Sequence, residues 1–207
     1  MNHVLAIKAH PFNEDKSSTM TVLRTFMEAY QHQHPEDEIE IFDLYQTDLP
    51  EVNGELLNAW DQLRNGGQFD HLSTSQQKAV ASFDQMTQQF LQADKVIIAN
   101  PIWNLMIPAR LKLWIDTITV AGKTFRYTPE GPQGLATDKK VMHIQSSGSC
   151  FNGQDPATQY LETILKFIGV PHIEHILIDG KDAVPAEKAQ EMIQKACEEA
   201  KFKATTF

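Results

Sequence analysis

The sequence predicts an α/β protein built on a doubly wound sheet of five parallel strands, with helices on both faces. Three observations predict it. Five short runs rich in Val, Ile and Leu recur along the chain, and segments of helical period lie between them in strict alternation. Several runs are nearly continuously apolar, as strands covered on both faces tend to be. The chain has 207 residues, 42% of them hydrophobic, which suits one domain of ordinary size with a well-buried core.

Taken in order, the first strand is VLAIK, residues 4–8. Ser17, Ser18 and Thr19 stand where the first helix, over 18–31, should start, because their hydroxyls suit a helix cap. IEIFDL (39–44) is the second strand. The least regular stretch follows, from about Gln46 to Ser73, and contains RNGGQFDHLSTS. It reads as a surface lobe inside the same domain. A helix over 75–93 leads to the third strand, VIIAN (96–100). Pro108 is a good first-turn residue and places the start of the next helix, 109–121, near Ile107. Strand VMHIQ (141–145), a helix over 155–168, strand IEHILI (173–178) and a helix over 186–203 complete the alternation. No internal repeat or low-complexity tract interrupts it, so residues 1–207 read as a single domain.

Two doubly wound folds compete for this pattern. The dinucleotide-binding fold requires GxGxxG after strand one, where this chain has AHPFNEDKSSTM with no glycine at all. The flavodoxin-like fold has five strands in the order 2-1-3-4-5, which matches the count. In that order a ligand lies beyond the carboxyl ends of the strands, at the switch point. The loops after strands one, three and four must therefore be read together.

Charge narrows the ligand. Eighteen Lys and Arg against 27 Asp and Glu leave a formal charge of −9. That balance disfavours nucleic acid or an anionic membrane as the main partner, though helix-start N–H groups can still bind a phosphate on an acidic protein. Cys150 and Cys197 are the only cysteines and fit no CxxC pattern, as expected of reduced thiols. The apolar start lacks a signal peptide's basic region, and no run approaches the roughly 20 apolar residues of a membrane span. A soluble, cytoplasmic protein is the expectation.

In the first loop, Ser17, Ser18 and Thr19 offer hydroxyls and free N–H groups to a phosphate, with Lys16 nearby. Each taken alone reads as an ordinary cap, and His10 before Pro11 as a turn residue with a satisfied hydrogen bond. The second loop, NPIWNLMIP, is unusually apolar for a loop. Ile102, Trp103, Asn104 and Leu105 stand at the predicted crevice, where a flat aromatic ligand would bury well. The third loop, QSSGSCFNG, is small and flexible enough for backbone to approach a ligand closely. Phosphate at one end, a flat ring in the middle and close backbone at the far edge describe flavin mononucleotide, FMN.

The run ANPIWNLMIPARLKLWIDTITVAGKTFRYTPEGPQGL closely resembles the FMN-dependent NADH azoreductases, also described as NADH:quinone oxidoreductases. In that family the strand-three loop reads roughly P-[MI]-[WY]-N-[FL], followed by AG-x-TF-[RK]-Y-T and GP-x-GL. The resemblance extends more weakly along the whole chain, including AHP in the first loop. It implies that Ser17, Ser18, Thr19 and His10 hold the phosphate and ribityl end of FMN. Ile102, Trp103, Asn104 and Leu105 would hold the ring, and Ser146, Ser147, Gly148 and Ser149 would close its far edge. Many members have a second glycine in place of Ser149, and some have serine in place of His10. The resemblance further implies non-covalent FMN, NADH or NADPH as donor, and a homodimer with the site between subunits. Quinones or azo compounds would then be reduced by ping-pong, two-electron hydride transfer. Phe125, Tyr127 and Phe151 would wall the substrate cavity; ordinary core is nearly as good a reading for Phe125. The flavin carries the chemistry, so no catalytic acid is named.

Other classes fit less well. A flavodoxin-type electron carrier would explain the acidity, but the Thr- and Gly-rich phosphate loop usual there is missing and the 46–73 lobe is extra. A response regulator needs an acceptor aspartate after strand three, where this chain reads ANP. A serine hydrolase wants GxSxG, which QSSGSC does not supply. HIEH (172–175) hints at a metal, but residues three apart on a strand point to opposite faces. HQH (32–34) falls at a solvated helix end. No metal site is expected.

Overall fold

The computed structural model describes residues 1–207 throughout. Strands β1 (His3–Lys8), β2 (Glu38–Asp43), β3 (Lys95–Pro101), β6 (Lys140–Ser146) and β7 (His172–Ile178) form one parallel sheet in the order β2-β1-β3-β6-β7. Counting these five alone gives the predicted order 2-1-3-4-5. The helices are α1 (Ser18–Gln33), α2 (Gly54–Arg64), α3 (Thr74–Gln92), α4 (Ala109–Ile118), α5 (Pro156–Phe167) and α6 (Ala186–Ala204). None is long and apolar enough to cross a membrane.

Strand pleating builds two cores. Alternate side chains point to opposite faces. Leu5, Ile7, Val96, Ile98 and Val141 therefore join Phe90 of α3, Trp114 of α4 and Leu161 of α5 on one side. Val4, Ala6, Ile97, Ala99, Met142 and Ile144 meet Phe26 and Tyr30 of α1 and Ala196 and Ala200 of α6 on the other. Burying a side chain such as Phe90 contributes about 2–3 kcal/mol. All seven residues of β3 are buried, which explains its unbroken apolar run.

Three features depart from the sequence reading. The 46–73 stretch is more regular than expected, because α2 lies inside it. Asn53 Oδ1 accepts from Leu56 N at 3.0 Å and starts the helix, and its apolar stripe rests on α3, with the Trp60 ring edge-on to Phe83 at 4.9 Å. Helix α4 stops at Ile118, three residues short of the reading. The Thr124 hydroxyl accepts from Val120 N at 2.9 Å and donates to Ile118 O at 2.7 Å, so side chain replaces helix at this end. Finally, β4 (Phe125–Thr128) and β5 (Gly131–Gly134) form an antiparallel hairpin outside the main sheet.

That hairpin docks where two glycines meet. A Cβ on Gly134 would lie 2.2 Å from Gly169 N, a backbone atom that cannot swing aside. Gly134→Ala is expected to destabilise the protein by about 2–3 kcal/mol in urea unfolding. Gly54→Ala, at the first residue of α2 with open space around it, should be neutral or stabilising by up to about 1 kcal/mol. Equal stability of the two variants would contradict this packing.

Candidate active site

The loops that leave the carboxyl ends of β1, β3 and β6 come together around a cleft of about 200 Å3. His10, Lys16, Ser17 and Ser18 line it from the first loop, Pro101, Ile102 and Trp103 from the second, and Ser146 and Gly148 from the third. A fourth loop, after β7, contributes Lys181 and Asp182, which the sequence reading did not single out. A larger cleft of about 450 Å3 lies between α2 and α3, lined by Trp60, Phe69, Val80 and Phe83. It has few polar groups and is built by the lobe, away from the strand ends, so the smaller cleft is the better candidate.

Direct bonds tie the loops to one another. Thr19 Oγ1 and Ser146 Oγ are 2.7 Å apart and buried. Ile102 N donates to Ser146 O at 2.8 Å. Gly180 N and Lys181 N donate to Ser147 O, and Asp182 N donates to Gly148 O at 3.1 Å. Asp179 organises the third loop: its carboxylate accepts from Ser147 Oγ and Phe151 N at 2.9 Å and from Asn152 N at 2.7 Å. Burial would push this carboxyl up, but those donors outweigh it and hold it below the usual carboxylate range. Its only trace in sequence is an Asp-Gly pair closing the last strand.

At the start of α1, Ser17 caps the helix, its Oγ accepting from Met20 N at 3.4 Å. The cap reading therefore holds for Ser17 itself. The N–H groups of Ser18 and Thr19 have no protein acceptor and lie at the positive end of the helix dipole. His10 Nδ1 accepts from Phe12 N at 3.0 Å, so a neutral ring carries its proton on Nε2. Burial is the largest cause lowering the His10 pKa, and the charge of Lys8 lowers it further. The imidazole thus stays neutral near pH 7 with one N–H to offer.

The apolar second loop is a tight reversal. Trp103 N donates to Met106 O at 2.9 Å and Met106 N returns a bond to Trp103 O at 3.1 Å. The central residues, Asn104 and Leu105, have φ of 50° and 67°. Asn tolerates that region, whereas Leu is strained there, by about 1 kcal/mol or more. Leu105 is 62% and Trp103 41% exposed, with the Trp103 ring 5.5 Å from His10 and 6.4 Å from Tyr45. The loop's apolar surface is thus presented outward.

Not every candidate lines the cleft. Thr19 faces inward and is spent on Ser146. Ser147 Oγ is turned to Ser149 O and Asp179, and Ser149, Asn104 and Leu105 do not line the cleft. Phe125 is buried, with its ring 4.7 Å from Phe167 of α5, and does not line this cleft. Tyr127 is 75% exposed on the hairpin, and Phe151 is half-buried with its N–H on Asp179. Neither lines this cleft. No group of three His, Cys, Asp or Glu side chains is arranged to hold a metal.

A polar chain supports the cleft from behind. Asn100, adjoining the second loop, donates through Nδ2 to Pro101 O and Gln145 Oε1, both at 3.1 Å. Its Oδ1 is 3.0 Å from His143 Nε2, and His143 Nδ1 is 3.1 Å from His175 Nδ1. Asn100 Oδ1 can only accept, so His143 donates from Nε2 and receives from His175. His175 Nε2 lies 3.1 Å from Glu162 Oε1, and closing that bond takes a second proton on His175 or one on Glu162. Complete burial, with His175 beside it, holds His143 down to about 3. The unfolded chain therefore takes up a proton, below its ordinary value of 6.5, that the native state refuses. This contribution to stability is full above about pH 6.5 and is lost as pH falls, at up to about 1.4 kcal/mol per unit. Urea unfolding between pH 7.5 and 5 should show a steeper loss in the wild type than in His143→Gln; equal slopes would remove this account.

Fold and cleft together define a flavodoxin-like α/β protein with a polar, aromatic-flanked cleft at the sheet's switch point. A family model for the flavodoxin-like fold matches residues 2–201. The FMN-dependent NADH:quinone oxidoreductases of Staphylococcus haemolyticus and Staphylococcus aureus are each 43% identical to this chain, over 100% of both proteins. A crystal structure of an azoreductase from Bacillus anthracis superposes with a TM-score of 0.92 at 35% identity, over 100% of both chains. A second B. anthracis structure, an FMN-dependent NADH-azoreductase in complex with FMN, has a TM-score of 0.92 at 29% identity, covering 100% of this chain and 99% of that one. The chain belongs to the family of FMN-dependent NADH:quinone oxidoreductases and azoreductases.

Proposed function

We propose that the protein is an FMN-dependent NADH:quinone oxidoreductase and azoreductase, working in the cytoplasm as a homodimer. The observation that carries this reading is the convergence of the three predicted loops on one cleft. Relatives of full-length similarity bear the same activity in their names, which favours an enzyme over an electron carrier.

The residues present fit FMN. The unpaired N–H groups of Ser18 and Thr19, the Nε2–H of His10 and the ammonium of Lys16 suit phosphate oxygens. Gly148, without a side chain, lets the turn after β7 pack closely against the third loop at the cleft. Trp103 and Leu105 supply apolar surface for a ring system. When bound, FMN would supply the two-electron chemistry between NADH and acceptor. The protein's part is to hold, orient and shield. The neutral His10 donates without adding charge, and the rigid Trp103–Met106 reversal keeps its apolar edge in place. A ligand of roughly 30 heavy atoms at about −0.3 kcal/mol each gives about −9 kcal/mol, a dissociation constant near or below micromolar. Covalent attachment is therefore unnecessary. We assign the strongly exposed Tyr127 to the contact with the partner subunit, where Tyr127 and Phe151 would wall the substrate cavity.

Ser17→Asp tests the phosphate end, since aspartate also caps helices and should preserve α1. Its carboxylate is expected to weaken FMN binding at least tenfold in a fluorescence titration; an unchanged affinity would reject the placement. Initial rates with NADH and menadione should give parallel double-reciprocal lines if one site serves both in turn, and intersecting lines if both bind together.

A further inference from the structure

The fourth loop brings to the cleft two charges outside the phosphate-binding set proposed above. Lys181 and Asp182 both line the cleft, and their side chains form an ion pair with each other. They sit on a short 3-10 turn, Lys181–Ala183, held against the third loop by three bonds: Gly180 N and Lys181 N to Ser147 O, and Asp182 N to Gly148 O. Contact is so close that a Cβ on Gly148 would lie 2.5 Å from Asp182 Oδ2. Gly148 therefore leaves space that the Asp182 carboxylate occupies. Of the two side chains, Lys181 is the more shielded, 28% exposed against 67%.

We propose that Lys181, restrained by Asp182, is a redox-tuning residue that favours the reduced cofactor by facing the ring edge where its negative charge appears. This rests on the FMN reading above. FMN takes a hydride from NADH, that is two electrons and one proton, leaving NAD+ and a reduced ring with one more negative charge than before. The third loop borders the ring's far edge in that reading, and the Lys181 turn is bonded to that loop. A cation there lowers the energy of the reduced ring and does little for the neutral oxidised one. Asp182 opposes it, holding the ammonium partly neutralised. The cleft thus separates two tasks: the α1 end, with Lys16, binds a phosphate whose charge never changes, while the β7 end senses a charge that does.

The test compares binding of oxidised and reduced FMN. Fluorescence titration gives the oxidised dissociation constant, and the midpoint potential of bound against free FMN gives the ratio to the reduced one. Lys181→Gln should weaken reduced FMN about tenfold more than oxidised FMN, a fall of about 30 mV in the two-electron midpoint. Asp182→Asn should move the ratio the opposite way, and Lys181→Arg should restore the wild-type value. Equal weakening of both forms would assign Lys181 to the phosphate and overturn the proposal, as would shifts of the same sign in the Gln and Asn variants. Wild-type protein that takes up no FMN would instead reject the cofactor reading itself.

Discussion

Burial of β3 on both faces is the constraint from which the site follows. No residue of Lys95–Pro101 reaches solvent appreciably, so the strand cannot slip without exposing apolar side chains or forcing Lys95 and Asn100 into the cores. With its register set against β1 and β6, three chain segments must leave the same rim within a few ångströms. The Thr19–Ser146 and Ile102–Ser146 bonds then couple the loops. Ser146 is the shared point: its hydroxyl meets the first helix and its carbonyl meets the second loop.

An acidic protein can present local positive dipoles whatever its net charge. His10, Lys16, Ser18 and Lys181 line the cleft together with one carboxylate, Asp182, against a formal charge of −9 over the chain. The helix dipole acts at short range, where screening is weakest. Distant carboxylates, separated by more than a Debye length, barely oppose it. Local geometry therefore decides what the cleft accepts, and the overall charge decides what the rest of the surface repels.

The second loop shows the same division between stability and use. Leu105 is strained and exposed, neither of which serves the fold. The reciprocal Trp103–Met106 bonds compel that conformation, and Asn104 is the residue type that tolerates it best. Behind the loop, the Asn100–His143–His175 chain fills the sheet's end with polar bonds, so the strained turn rests on a buried, hydrogen-bonded base. Strain at the surface and satisfaction beneath it are complementary.

The sequence alone determined the five strands, their order and five of the six helices, because buried strands and amphipathic helices write their period directly into residue spacing. It also marked the three loops, since cap hydroxyls, an apolar loop and a small-residue turn are local signals. Helix α2 was obscured by flanking glycines, and the β4–β5 hairpin by its Gly- and Pro-rich composition. Only the tertiary structure decided that Phe125 packs on Phe167, that Lys181 and Asp182 join the cleft and that Asp179 organises the third loop. Those outcomes depend on contacts between segments far apart in the chain, such as Phe125 with Phe167 and Gly148 with Asp182. No spacing along one segment encodes which distant partner will fold against it.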